Sequence, residues 1–159
     1  DKIRAVARAL GVDADGEALA ARVEGEISAA VAAAAEAAPR RAIFLLSVEG
    51  GRLMAAGEGT GADAMLRLAG ADNALAGFQG YKPVSAEAVL AAAPDAVVMM
   101  DRGDHVAAPE AVFSVPGLAG TPAAEKQALV RMDGLFLLGF GPRTGAAVAA
   151  LHDALYPGG

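Results

Sequence analysis

One stretch limits the folds open to this chain more than any other: residues 17–38 read as a single Ala-rich helix, stopped at Pro39. Leu19, Val23, Ile27, Ala30, Val31 and Ala34 recur at steps of three and four, the spacing of one helical face. Proline disfavours helical geometry in the residue before it, so the helix cannot run past Pro39. A helix of 22 residues is about 33 Å long. That is more than the interior of a small domain needs, and it suits a strut lying along two lobes. Ile3, Val6, Ala7 and Leu10 form a shorter helical pattern ahead of it, closed by Gly11 at the C′ position.

Beyond Arg41 the texture changes. Residues 42–48 read as a buried strand, Glu49-Gly50-Gly51 as a turn, and 52–56 as a short second strand. Thr60 caps a helix to about Ala69, with Asp63 in capping-box position and Gly70 closing it. Ser85 caps a helix over 86–93, and Pro94-Asp95 leads into a strand over 96–100. Residues 101–108 read as a loop, Pro109 starts a short helix, and Thr121-Pro122 caps another. A strand over 129–132 follows. The apolar run from Gly134 ends as a strand near Gly139, and the last helix spans 142–155 with Pro142 near its first turn. Strands alternating with helices predict an α/β fold, a three-layer arrangement with a central, mostly parallel sheet flanked by helices.

Composition removes several function classes. Of 159 residues 55 % are apolar, yet no run approaches the roughly 18 needed to span a bilayer, so the chain is not membrane-spanning. A net charge of −6 without a basic stripe argues against nucleic acid as a partner. With no cysteine there is no disulfide, thiolate metal site or cysteine nucleophile. Only His105 and His152 are present, which disfavours a His-rich zinc site. His105 lies in the 101–108 loop, where a solvated side chain is the simplest expectation, and His152 is expected on the surface of the last helix. The chain opens on Asp1 inside a helical pattern, so it reads as cut from a longer precursor.

Three segments carry candidate chemistry. Gly57-Glu58-Gly59-Thr60-Gly61 precedes a helix, but it lacks a P-loop Lys and has Ala62 where the dinucleotide fingerprint needs glycine. A tight strand-to-helix turn competes there with a ligand-facing loop. In 80–87, Tyr81 and Lys82 are expected on a loop, where a phenol beside an ammonium suits an anionic aromatic ligand. Glu87 falls in the first turn of the Ser85-capped helix, where the dipole favours a carboxylate. Arg143, after Gly141-Pro142, is either a carboxylate clamp beside free helix N–H groups or an internal partner of Asp133 or Asp101. An enzyme reading finds no nucleophile elbow and no H-E-x-x-H; Asp101, Asp104 and Asp133 make at most an unspecific carboxylate cluster.

Several motifs, taken in order, resemble the C-terminal lobe of periplasmic haem-binding proteins of bacterial haem ABC importers. They are Met54–Met65 with Ala69–Ala74, Gly80–Glu87, Ala93-Pro94-Asp95, Pro116–Ala123 and Leu138–Thr144. The resemblance covers about 40–156, and residues 1–38 are similar to the end of the preceding lobe and an inter-lobe helix. It implies a class III binding protein divided as 1–16 (end of the N-terminal lobe and linker), 17–39 (inter-lobe helix) and 40–159 (ligand-binding lobe). It further implies a non-enzymatic, periplasmic role: holding haem in a cleft shared with the other lobe and passing it to the importer permease. Family members usually take their axial Tyr from the other lobe. Some add a His from the loop after the first strand, which here reads Ser47-Val48-Glu49-Gly50-Gly51 without one.

The resemblance places Tyr81 against the ligand; a flat apolar plate with two carboxylates further suggests Lys82 and Arg143 as cations, Val48, Met100 and Phe140 as apolar wall, and Glu49 and Thr60 as further haem contacts. Tyr81 and His105 are the candidates for iron, and Glu87 the permease-docking acid. A cobalamin or ferric-siderophore binder is the nearest alternative, and a Rossmann-like nucleotide-binding enzyme domain the more distant one.

Overall fold

A computed structural model describes residues 2–36, 38–101 and 108–157. Helix α1 (Lys2–Leu10) turns at Gly11 into α2 (Asp13–Ala34). The long helix therefore has the expected 22 residues but begins and ends four residues earlier. Asp13 and Asp15 occupy its first turn, where carboxylates meet unsatisfied N–H groups, and this moves the start upstream.

Strands β1 (Arg40–Glu49) and β2 (Arg52–Ala56) form a hairpin closed by Gly50 and Gly51. Both glycines have positive φ (56° and 78°), as a two-residue turn matched to strand twist requires. Then come α3 (Gly61–Leu68), β3 (Ala71–Asn73), β4 (Tyr81–Val84), α4 (Ala86–Ala92), β5 (Ala96–Asp101), α5 (Pro109–Phe113), α6 (Pro122–Glu125), β6 (Leu129–Asp133), α7 (Gly134–Leu138) and α8 (Thr144–Leu155).

The sheet order is β4-β2-β1-β5-β6, with β3 paired to the start of β1. Pairs β1–β3, β1–β5 and β5–β6 are parallel; β1–β2 and β2–β4 are antiparallel. The sheet is thus a parallel core with an antiparallel flank. Along β1 the side chains alternate between two cores: Ala42 and Phe44 face one, Ile43 and Leu45 the other. The first core holds Met65, Leu66, Val98, Val148 and Leu151 under α3, α7 and α8. The second holds Leu53, Val89, Val97, Phe113 and Leu118 under α4 and α5. Helices on both faces make the three-layer α/β arrangement.

Four readings of the sequence are corrected. Tyr81 and Lys82 are not on a loop: they belong to edge strand β4, where Pro83 is tolerated because an edge strand leaves one row of ladder positions unused. The run after Gly134 is helix α7, not a strand, because the Asp133 carboxylate caps it, accepting from Phe136 N at 2.7 Å. The last helix starts at Thr144 instead of Pro142. His152 is half-buried, with Nδ1 3.0 Å from Ala69 O and its ring stacked on Tyr156 at 4.6 Å. Tyr156 in turn donates to Gly70 O (2.6 Å) and accepts from Arg40 N (3.0 Å), tying the chain's end to the foot of β1.

The long helix is held at two levels. Its lower half lies on α8, where a Cβ at Gly145 would stand 2.6 Å from Glu26 Cβ and 3.1 Å from Ile27 N. Only glycine lets the two backbones approach so closely. The upper half carries α1: Ala7 packs on Gly16, and the Arg4 guanidinium bridges Glu17 (2.8 Å) and Glu24 (2.6 Å). Among the described residues no helix is long and apolar enough to cross a membrane.

Gly145→Val should therefore part α2 from α8 and cost about 1–3 kcal/mol, the usual penalty for overpacking; a lowered denaturant midpoint with an unchanged slope is the expected result. The clip between α1 and α2 makes a second prediction. Hydrogen bonds from Arg4 hold the carboxyls of Glu17 and Glu24 below the ordinary carboxylate range. Their contribution is present above that ordinary range and disappears as pH falls through the depressed values. Arg4→Ala should flatten the loss of thermal stability between neutral and acid pH, and salt should have the same effect on the unsubstituted protein.

Candidate functional site

Strand order places the site. From β1 the chain first builds on one edge, with β2, β3 and β4, then returns to the other with β5 and β6. Ala42 marks the divide, pairing with Asn73 on one side and Ala96 on the other. In open α/β sheets the crevice at the carboxyl ends of strands, where the order reverses, is where ligands bind. A cavity of about 540 Å³ opens at that position. The end of β1 and its hairpin supply Val48, Glu49 and the two turn glycines; β5 supplies Met99 and Met100. Val112 and Val115 close it from the side of α5, and Arg131 enters from β6. Its volume falls in the range of small-molecule and cofactor sites, about 300–1,000 Å³.

The charges are unevenly placed. Arg131 is largely buried, its side chain 18 % exposed, and its Nη2 lies 2.8 Å from Asp101 Oδ1. Glu49 stands exposed at the hairpin tip. Beyond the cavity, Met100 abuts Gly134, and the segment after β6 leaves Leu135 and Phe140 exposed (75 % and 41 %). A separate apolar groove of about 350 Å³ runs between α1 and α2, lined by Ile3, Val6, Leu10, Val12 and Leu19 and reaching Pro142.

The structure gathers only part of the anticipated set. Val48, Glu49 and Met100 line the cavity. Tyr81 and Lys82 lie two strands away on β4, Tyr81 paired with Ala56 and Lys82 with Ala55. Thr60 is buried, its hydroxyl donating to Gly57 O (2.9 Å) and accepting from Asp63 N (3.0 Å). Arg143 stands before α8 with its guanidinium over the Phe136 ring at 5.3 Å. The internal pairing considered for it is not found among the described residues: Arg131 holds Asp101, and Asp133 caps α7. Asp101 and Asp133 are partners in the β5–β6 register, and Asp104, like His105, lies outside the described residues.

Glu87 is exposed in the first turn of α4. Its own backbone N–H and the Ser85 hydroxyl hold its carboxyl below the ordinary range, so it is an anion at neutral pH. The Gly57–Gly61 turn does not suit a phosphate. The buried Asp63 carboxylate already accepts from Gly59 N (3.3 Å), Asn73 Nδ2 (3.1 Å) and Arg67 Nε (3.3 Å). An anion there would meet the protein's own negative charge.

Sequence reasoning passed over Arg131. One signal was available: in Leu129–Asp133 an arginine interrupts an apolar strand at a position whose neighbours on that face, Leu129 and Met99, pack into the second core.

The profile of the periplasmic binding protein family matches residues 1–134. No protein with a curated description matches at a significant level. Among solved structures, the periplasmic haem-binding protein BhuT in complex with two haems is 45 % identical, with a TM-score of 0.90 over 97 % of this chain and 60 % of that one. Apo RhuT, a periplasmic haem-binding protein from Roseiflexus sp. RS-1, is 42 % identical, with a TM-score of 0.91 over 98 % and 60 %. A ferric-hydroxamate ABC transport protein from Saccharomonospora viridis is 25 % identical, with a TM-score of 0.82 over 98 % and 54 %. The chain thus spans about 60 % of the length of its haem-binding relatives. The profile match over most of the chain, and 45 % identity across a shared three-layer fold, make this chain a member of the periplasmic binding protein family.

Proposed function

We propose that this chain is the C-terminal lobe of a two-lobed, extracytoplasmic haem-binding protein that delivers haem to an ABC importer. The carrying observation is the cavity at the carboxyl ends of β1 and β5, in a chain 42–45 % identical to two haem-binding proteins. Haem is a flat apolar plate with two carboxylates along one edge. Val48, Met99, Met100, Val112 and Val115 suit the plate, and Arg131 suits the edge.

A binding role is favoured over an enzymatic one because the family is one of binding proteins and the nucleotide reading loses its anion site to Asp63. The domain division proposed from the sequence, 1–16, 17–39 and 40–159, remains our reading, with the strut beginning nearer Asp13. The relatives extend beyond the part matched here by about 40 % of their length, which on this reading holds a first lobe. Val6, Leu10 and Val12, exposed around the groove between α1 and α2, form apolar surface that such a lobe would cover. The ligand then lies between the cavity and that lobe. Tyr81, Lys82, Thr60 and Arg143 stay on the proposed contact list, although the cavity itself is lined by others. The siderophore reading rests on the weaker ferric-hydroxamate likeness.

Titrating haem into this lobe alone and into the full-length protein tests the shared cleft. The full-length protein should give a saturable Soret shift, and the lobe alone should bind at least tenfold more weakly. Equal affinities would contradict a cleft between lobes, and a full-length protein that ignores haem but binds ferric hydroxamates would replace haem with the alternative. Permease docking is tested separately. Glu87→Arg in the full-length protein should leave the Soret titration unchanged and slow haem uptake by cells; uptake at the unsubstituted rate would reduce Glu87 to its role in the first turn of α4.

A further inference from the structure

We infer that the packing of α1 on α2 is the joint that sets how a first lobe stands relative to this one, and that the Arg4 guanidinium is the latch that keeps the joint in one position. The inference rests on the two-lobed reading above and not on the identity of the ligand.

The long helix belongs mechanically to this lobe. Gly145 brings the backbone of α8 against Glu26 and Ile27, and Gly70 brings the end of α3 against Ala34, so α2 cannot shift without breaking close backbone contacts. Helix α1 is held differently. Among the described residues it packs chiefly on α2, and Val6 and Leu10 stay exposed where a first lobe would grip it. The groove between the two helices leaves that side of the joint unfilled. Its covalent tie is the turn Gly11-Val12, with Gly11 at φ 70° and nothing near the place of its Cβ. A short turn at the end of an element is where hinges between bodies form.

Three contacts resist rotation about that turn, at increasing distance from it. Val12 N donates to Ala7 O (3.0 Å), Ala7 sits on Gly16, and farthest out Arg4 joins Glu17 and Glu24. At 1.5 Å per residue Arg4 stands about 10 Å along the axis from Gly11, so it has the longest lever. The Ala7–Gly16 contact is a pivot of small groups without direction. The Arg4 contact has direction: Nε (2.8 Å) and Nη2 (2.9 Å) donate to Glu17, while Nη1 (2.6 Å) and Nη2 (3.3 Å) donate to Glu24. One planar guanidinium is thus bound on two edges by acids about two helical turns apart. Helix α1 can neither slide along α2 nor swing away from it without losing one of them.

The experiment uses the full-length protein. This chain has no cysteine, so Arg8→Cys on α1 and Asp153→Cys on α8 place nitroxide labels at exposed positions on either side of the joint. Pulsed electron–electron resonance on the ligand-free protein should give one narrow distance distribution. Arg4→Ala should broaden or shift it. Arg4→Lys should fall between, since an ammonium cannot hold both acids as the fork does. Arg22→Ala is the control: it removes the same charge and breaks the Arg22–Glu26 pair (3.0 Å), which lies within α2 and does not cross the joint. The distribution should then stay narrow. Without labels, haem should leave Arg4→Ala about two- to fivefold faster, the worth of a partly exposed ion pair, and leave Arg22→Ala at the unsubstituted rate. Thermal melts check folding, and Arg4→Lys carries the comparison should Arg4→Ala not fold.

An unchanged distribution in Arg4→Ala overturns the inference, as does equal broadening in Arg22→Ala, which would make the effect one of net charge. Broadening with haem release unchanged overturns it too, because the joint then does not set the cleft. If the full-length protein takes up no haem, the haem reading falls and the label distances alone decide the joint.

Discussion

Strand β1 bonds to three other strands, with β2 and β3 sharing one edge and β5 taking the other. A strand enclosed in this way, with helices over both faces, must be apolar on both sides. Ala42, Ile43, Phe44 and Leu45 are all at most 1 % exposed. The two cores meet along these four residues, so a polar substitution at any of them would leave an unpaired group in a dry layer. The same strand ends at the cavity, where burial relaxes across Ser47 and Val48 and the backbone register shifts after Leu45. The element that organises the core therefore also delivers the first wall of the site.

Around that strand the protein uses close backbone contact where it needs rigidity and charge where it needs orientation. Gly145 lets α8 seat against α2, and Gly70, at φ 81°, closes α3 against the lower end of the same helix at Ala34. These contacts fix the strut to the sheet without long side chains between them. The Asp63 network works differently. A buried carboxylate joins α3, the Gly59 turn and Asn73, and Asn73 also donates to Ala56 O (3.1 Å). A buried charge is tolerable when several donors surround it. Here they lock the glycine-rich turn that the sequence alone left open between phosphate loop and plain connection.

Among the described residues the cavity wall is mostly apolar, with the Arg131–Asp101 ion pair on its β6 side. Apolar walls hold a flat ligand without directional bonds, and a small number of polar contacts set its orientation. Large exposed apolar side chains occur on α1, at Val12, at Tyr81 on β4, at Leu90 on α4 and along the segment after β6, while Tyr156 and Arg40 bond at the foot of β1.

Local chemistry made much of the fold legible in advance. The strut, the diglycine hairpin, the Thr60, Ser85 and Thr121 caps and the strands β1, β2, β5 and β6 each rest on residues adjacent in sequence, through helical periodicity, side-chain caps or turn glycines. The family resemblance was legible for the same reason, since its motifs are those turns and caps. What sequence could not supply depends on distant partners. Strand β4 exists because β2 offers it an edge, and β3 because β1 does; neither has the length or alternation to declare itself. Helix α7 replaced a strand because one carboxylate caught its first turn. The membership of the site was decided by strand order, which brings Val48, Met99 and Arg131 together from three strands and leaves Tyr81 on an outer edge. Periodicity says which face a residue takes, but only the assembled sheet determines which strands stand side by side.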